Sequence, residues 1–313
     1  MIRAPQPAFA ELATDLRFPE GPVALSDGSI LVCEIAGSAI TRVHPDGRKS
    51  VVARTTGNPN GLAVGPDGAL YACNNGGAAF RELDGILQPW GASDRFDGGW
   101  IERIDPVTGE VRILYRACDG HRLSAPNDIV FDAHGGFWFT DLGQARPRVR
   151  ERGGVYYARA DGSHIQASIF PVETPNGIGL SPDGRWLYVA ETVTARLWAY
   201  EVLEPGVVRL RDSRWARGEL LAAPGGLIGF DSLAVQADGA ICVATLVDGG
   251  ILRVSADGGR VEHIPLPDMY VTNICFGGPD LRTAFVTLSS TGRLVAVPWD
   301  AAGLPQHFAD LAQ

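Results

Sequence analysis

Apolar and polar positions recur along this chain on one template. Six segments superpose: Phe18–Cys33 (FPEGPVALSDGSILVC), Asn58–Cys73 (NPNGLAVGPDGALYAC), Ala125–Thr140 (APNDIVFDAHGGFWFT), Thr174–Val189 (TPNGIGLSPDGRWLYV), Gly229–Ala244 (GFDSLAVQADGAICVA) and Val271–Val286 (VTNICFGGPDLRTAFV). Each runs from a polar residue through a short apolar stretch to a Pro-Asp-Gly-like turn, then into a second apolar stretch. Asp-Gly between two β-branched or aromatic runs is a strong local signal for a hairpin. Asp27-Gly28, Asp67-Gly68, Asp183-Gly184 and Asp238-Gly239 carry it, and His134-Gly135 and Pro279-Asp280 are weaker versions.

The equivalent polar positions are Glu20, Asn60, Asn127, Asn176, Asp231 and Asn273, on average about 51 residues apart. A four-stranded propeller blade takes roughly 40–50 residues, so six units fill the chain. The pattern predicts an all-β fold, a six-bladed β-propeller of four-stranded antiparallel blades forming one domain over residues 1–313. The remaining strands include Trp100–Asp105 with Glu110–Tyr115, Gly154–Ala158, Arg282–Leu288 and Arg293–Pro298. The last unit is then one strand short. Phe9–Leu16 is placed to supply it and close the ring, leaving no open edge. Asn75–Gly99 has no clear periodicity and reads as a loop over one mouth of the channel. A double β-sandwich, the other all-β architecture weighed, does not explain six copies of one pattern.

The first strand of each propeller blade lines the central channel, so the six polar positions converge on the axis. Singly, an Asn or Asp beside Gly is a turn residue. Together they form a ring of two carboxylates, Glu20 and Asp231, and four amides. Two carboxylates in a narrow pore repel unless a cation or protons intervene. Carboxylate and amide oxygens are the preferred shell of a hard cation, calcium or magnesium, with manganese possible. The ring contains no histidine, so a three-histidine zinc site is not supported.

Composition narrows the partners. The 313 residues carry a formal charge of −9, which disfavours nucleic acid and anionic membrane, since both need a basic face. No apolar run approaches the roughly 18 residues of a membrane span, and Met1–Ala10 lacks the layout of a signal peptide. A soluble cytoplasmic protein, monomeric or weakly self-associating, is expected. Five cysteines without a C-x-x-C pair suit a reducing compartment. Cys33, Cys73 and Cys242 lie in apolar runs and read as core. Signatures of serine hydrolases, zincins and P-loop enzymes are missing from the sequence.

At these residues the chain resembles the gluconolactonase/regucalcin (senescence marker protein) family of metal-dependent lactonases, whose fold and metal arrangement diisopropylfluorophosphatase-type propellers share. The resemblance is carried by Phe18-Pro19-Glu20-Gly21-Pro22, by Arg122-Leu123-Ser124-Ala125-Pro126-Asn127-Asp128 with Phe137-Trp138-Phe139-Thr140-Asp141, by Pro175-Asn176-Gly177-Ile178, and by Leu187-Tyr188-Val189-Ala190-Glu191-Thr192. It implies one divalent metal held by Glu20, Asn176 and Asp231, with Asn127 as a fourth ligand or a substrate contact. Calcium is the first choice, with zinc, manganese, magnesium and iron left open. The implied reaction is hydrolysis of a sugar-derived or related small lactone. Two departures stand out. Ala125 replaces the sugar-contacting arginine of the animal regucalcin-like members, and Asn60 is not general in the family. Strictosidine-synthase-like propellers share the Pro-Asn-Gly and Ala-Glu-Thr segments but lack the carboxylate set.

The expected mechanism has the cation polarise the lactone carbonyl and lower the pKa of water. Glu20 and Asp231 are the catalytic candidates, with Asp231 as general base; direct attack by Asp231 stays open. Asp128 is set aside because neighbours in an alternating strand point to opposite faces. Asn60, Asn127, Asn273 and, at the pore mouth, His121 are candidate substrate contacts. Substrate choice is assigned to the segments Asn75–Gly99 and Leu142–Gly153. Two other readings use the same ring: phosphotriester hydrolysis, and a binding propeller in which calcium only staples the blades.

Overall fold

The computed structural model of the chain describes residues 1–146, 148–213 and 216–311. They form six antiparallel sheets arranged as a six-bladed β-propeller. Blade 1 comprises Pro19–Ala24, Ile30–Glu34, Ala39–Val43 and Lys49–Arg54; blade 2, Pro59–Val64, Leu70–Asn74, Trp100–Ile104 and Val111–Tyr115; blade 3, Pro126–Phe131, Gly136–Asp141, Gly153–Arg159 and Ile165–Val172. Blade 4 runs Pro175–Leu180, Trp186–Glu191, Arg196–Glu204 and Glu219–Ala222; blade 5, Gly229–Val235, Ile241–Leu246, Gly250–Val254 and Val261–Pro265. Blade 6 has Val271–Gly277, Thr283–Leu288 and Arg293–Pro298, and its outer strand is Ala10–Ala13 from the start of the chain, paired antiparallel with Arg293–Pro298. The ring closes as the pattern requires.

The Asp-Gly turns form for a local reason. Each Asp accepts a hydrogen bond from the backbone N–H two residues on, at Ser29, Ala69, Arg185 and Ala240, while the following glycine takes positive φ. Packing then follows from blade stacking. Each blade lies between two others, so its inner strands are apolar almost throughout, as in the fully buried Ile30–Cys33 and Leu70–Cys73. The buried side chains of the described residues fall into six clusters, one at each blade–blade junction. All five cysteines are buried and unpaired, in keeping with a core role.

Two segments depart from expectation. Asn75–Gly99 is not a plain loop: Ala78–Leu83 and Ile86–Ala92 form a hairpin between the second and third strands of blade 2. Its turn residues, Asp84 and Gly85, both have positive φ, as the tight hairpin turn requires. Leu142–Gly153 holds a smaller hairpin, Ala145–Arg146 with Val149–Arg150; Pro147 within it lies outside the described residues. At the opposite end of the channel, residues 301–311 cross from blade 5 to blade 3. The Leu304 N–H donates to Val235 O (2.8 Å), and the Phe308 ring meets Phe131 edge-on at 5.9 Å.

Candidate metal centre

The register between first and second strands slips in all six blades, each time at the polar position. The slips lie between Glu20 and Val23, Pro59 and Leu62, Pro126 and Ile129, Pro175 and Ile178, Phe230 and Leu233, and Val271 and Asn273. A bulge suspends the in–out alternation of a strand, so consecutive side chains can both serve the axis at different depths. Glycine after the polar residue lets neighbouring blades approach. A Cβ on Gly61 would lie 2.6 Å from the Asn127 carbonyl oxygen, and one on Gly177 would lie 2.7 Å from that of Asp231.

Two layers result. Glu20, Asn60, Asn127, Asn176 and Asp231, with Thr272, floor a cavity of about 300 Å³ at the end of the channel where the first strands begin. Asp128 and Asn273 face the other way, into a cavity of about 540 Å³ crossed by residues 304–307. The larger cavity is therefore not the one that gathers the carboxylates. Only in the smaller do both carboxylates and three amides meet.

Burial sets the electrostatics. It drives the Glu20 carboxyl well above the usual carboxylate range, and the nearby charges of Asp231 and Asp128 push it the same way. Hydrogen bonds to Glu20 Oε2 from Asn273 Nδ2 (2.6 Å) and from the Gly21 N–H oppose the rise. Asp231 is likewise raised by burial and by Asp128, and is eased by a hydrogen bond from Asn176. Asn176 Nδ2 also donates to Thr192 Oγ1 (3.0 Å). Asp128 is pushed up to about 7 by burial, although the N–H groups of Ile178 (3.2 Å) and Ile129 (3.0 Å) donate to it. Without a counter-charge these three buried acids tend to hold protons.

The sequence-derived candidates divide accordingly. Glu20, Asn60, Asn127, Asn176 and Asp231 come together. Asn273 lies one layer below, bonded to Glu20 and facing the far cavity. His121 is exposed on a two-residue strand paired with Ala117–Cys118 and does not line the mouth cavity. Alternation rightly keeps Asp128 out of the cavity lined by Asn127, but the bulge between Pro126 and Ile129 leaves it near the axis, where it acts electrostatically on both ring carboxylates. The walls above the ring draw Phe80 and Leu142 from the two segments given substrate choice, whereas Phe18, Ile35, Leu246 and Tyr270 escaped sequence reasoning. Phe18, Phe80 and Tyr270 cluster there, with ring centroids 5.2 Å (Phe18–Phe80) and 5.9 Å (Phe18–Tyr270) apart.

The ring suits a hard cation. Glu20 Oε1, Asn60 Oδ1 and Asn127 Oδ1 are buried oxygens without a hydrogen-bond partner. Orphaned buried acceptors are rare and costly, and an ion is one of the few things that satisfies several at once. Among the described residues no three His, Cys, Asp or Glu side chains gather into a cage of their own. An ion here would be held by two carboxylates and neutral amide oxygens, which is calcium-like chemistry.

The SMP-30/Gluconolactonase/LRE-like region matches residues 18–290. The chain is 28% identical over 258 residues to lactonase drp35 of Staphylococcus haemolyticus, covering 79% of this chain and 69% of the relative. It is 27% identical over 306 residues to a gluconolactonase of Zymomonas mobilis, covering 89% and 78%. The fold superposes on a calcium-binding regucalcin from Agrobacterium tumefaciens with a TM-score of 0.71 at 18% identity, covering 98% and 97%. Among the described residues no helix is long and apolar enough to cross a membrane.

Proposed function

The chain belongs to the SMP-30/gluconolactonase/LRE-like family, and from that premise we propose a hydrolase that opens a small lactone over a divalent cation in the mouth cavity. The carrying observation is the coincidence of three orphaned oxygens with two raised carboxyls in one buried ring. Calcium is the ion we place there, because the donors are hard oxygens, two charged and the rest neutral. The calcium-binding regucalcin with the same fold supports that choice. Glu20, Asn127, Asn176 and Asp231 would hold the ion, with Asn60 beside them. When bound, it would polarise the lactone carbonyl and offset the oxyanion.

Asp231 does the proton work. It takes a proton from the water that attacks the carbonyl carbon and returns it to the ring oxygen as the C–O bond breaks. Glu20, fixed by Asn273 and the Gly21 N–H, holds its position in the ring. The five buried free thiols suit the cytoplasm, where we place the protein.

The test strips the protein with a chelator and restores Ca²⁺, Mg²⁺, Mn²⁺, Zn²⁺ or Fe²⁺ singly while acid release from a lactone panel is followed. Hydrolysis returns with the native ion, and Asp231→Asn lowers kcat/KM by about a hundredfold or more. In single turnover in H₂¹⁸O, label in Asp231 marks direct attack followed by hydrolysis of the anhydride at the Asp231 carbonyl, and label confined to the product is what Asp231 as a base gives. Chelation that lowers only the melting temperature, with no lactone or phosphotriester turned over, sinks the reading in favour of a structural ion.

A further inference from the structure

The mouth cavity is polar at its floor and apolar above it. Phe18, Ile35, Phe80, Leu142, Leu246 and Tyr270 form the wall. Asn75, Gln144, Arg150 and Thr192 also reach it, and the side-chain oxygens of Asn75 and Gln144 are occupied by neighbouring backbone. Asn75 Oδ1 accepts from the Gly77 N–H (3.2 Å), and Gln144 Oε1 from the Ala145 N–H (3.2 Å). Ala125 adds a methyl group to the lining. Loops at the same end continue the apolar character outwards. Val193 (66% exposed), Val247 (48%) and Leu227 (82%) stand on the turns of blades 4 and 5 that face the mouth.

The hairpin Ala78–Leu83/Ile86–Ala92 places Phe80 in this wall and is fixed at both ends. Asn58 Oδ1 accepts from the Ala78 N–H (2.7 Å) while Asn58 Nδ2 donates to Ile35 O (2.6 Å), tying its base to blade 1. Across the mouth, the Leu87 N–H donates to Ser290 O of blade 6 (3.0 Å). The aromatic wall is thus a built part of the site.

We propose that the site takes lactones carrying a hydrocarbon or aromatic substituent, not polyhydroxylated aldonolactones, and that Phe80 and Tyr270 determine this specificity. The proposal rests on the lactone-hydrolase reading. A sugar lactone would bring several hydroxyls against a mostly apolar wall whose polar groups above the ring are Arg150, Thr192, the Asn75 and Gln144 amide nitrogens and the Tyr270 hydroxyl, and each hydroxyl desolvated without a partner weakens binding. An alkyl or aryl group gains from the same burial.

The experiment measures kcat/KM on the metal-loaded full chain for δ-valerolactone, δ-hexalactone, δ-octalactone, δ-decalactone and glucono-δ-lactone. The alkyl series should rise up to fourfold or so per added methylene until the wall is filled, with glucono-δ-lactone below δ-hexalactone. Phe80→Ser and Tyr270→Ser should flatten that slope, a readout that tracks wall contact and not folding. A flat series, or a preference for glucono-δ-lactone over δ-hexalactone, overturns the proposal. If no lactone is turned over, the function reading fails by itself, and binding of 2-alkylcyclohexanones decides the cavity. Affinity that rises with chain length and falls in Phe80→Ser upholds the apolar specificity, and no binding ends it.

Discussion

The two ends of the central channel are built by the same six strands yet differ in kind. At the mouth, five polar side chains converge beneath an aromatic wall, and three buried oxygens lack partners. One residue further along the strands, the far cavity is nearly twice as large, about 540 Å³, and contains only Asp128 and Asn273 from the axial polar set. Both of these are already committed, Asp128 to backbone N–H groups and Asn273 to Glu20. Size therefore does not locate the chemistry here. Unsatisfied oxygen does, because an orphaned acceptor in a dry site has a use for a ligand and a satisfied one does not.

That contrast is broken most decisively by pH. In metal-free protein Glu20, Asp231 and Asp128 all have raised folded-state pKa values. Their contribution to stability is therefore fully present below the unfolded carboxylate pKa, near 4, and is lost as pH rises through the folded values. For Asp128, raised to about 7, the loss between pH 4 and 8 is at most about 4 kcal/mol. Glu102, Asp141 and Glu191 are also raised by burial, but they lie outside the ring and titrate with or without an ion. The informative quantity is thus a difference. The gap in melting temperature between Ca²⁺-loaded and chelated protein should widen steadily from pH 4 to 8. A gap independent of pH would mean that the ring carboxylates are not facing a cation.

A second prediction asks whether the layers communicate. Asn273 belongs to the lower layer but donates to Glu20 of the upper one. It is a positioning residue, and Asn273→Ala should weaken metal affinity tenfold to a hundredfold, the usual cost of losing such support. Metal titration by calorimetry reads this directly. An unchanged dissociation constant would show the upper layer to be self-sufficient.

The sequence made one layer legible and hid the other. Six oxygen-bearing positions at the same point of six repeats identify the ring, and the Asp-Gly turns and the strand near Phe9 identify a closed propeller. Alternation turns Asp128 away from Asn127 but gives no hint that it stays near the axis one layer down, and superposition of the repeats puts Asn273 with Asn60, because a bulge leaves no mark in a hydrophobic pattern. Asp84-Gly85 carried the same turn signal as the repeats, but Pro89 inside one flanking strand and the charged Arg81 and Glu82 in the other hide the hairpin. The wall made by Phe18, Phe80 and Tyr270 joins residues of blades 1, 2 and 6, and the far strap joins Phe308 to Phe131. Contacts of that separation are set by closure of the ring and have no local sequence signature.

The smallest expected effect tests the far end on its own. Phe308 is half-buried and packs edge-on against Phe131, away from every residue of the polar ring. Phe308→Ala gives up part of the roughly 1.5–3 kcal/mol that burying a whole phenylalanine contributes, so a loss of about 1 kcal/mol is expected. In a chain of 313 residues that corresponds to about 2 °C in melting temperature. Lactone kcat/KM and metal affinity should not move, because the layer of Asp128 and Asn273 separates the strap from the carboxylates. A fall in either would mean that the strap sets the height of the ring. The two cavities would then be one functional unit, and the difference between the ends of the channel would be one of degree.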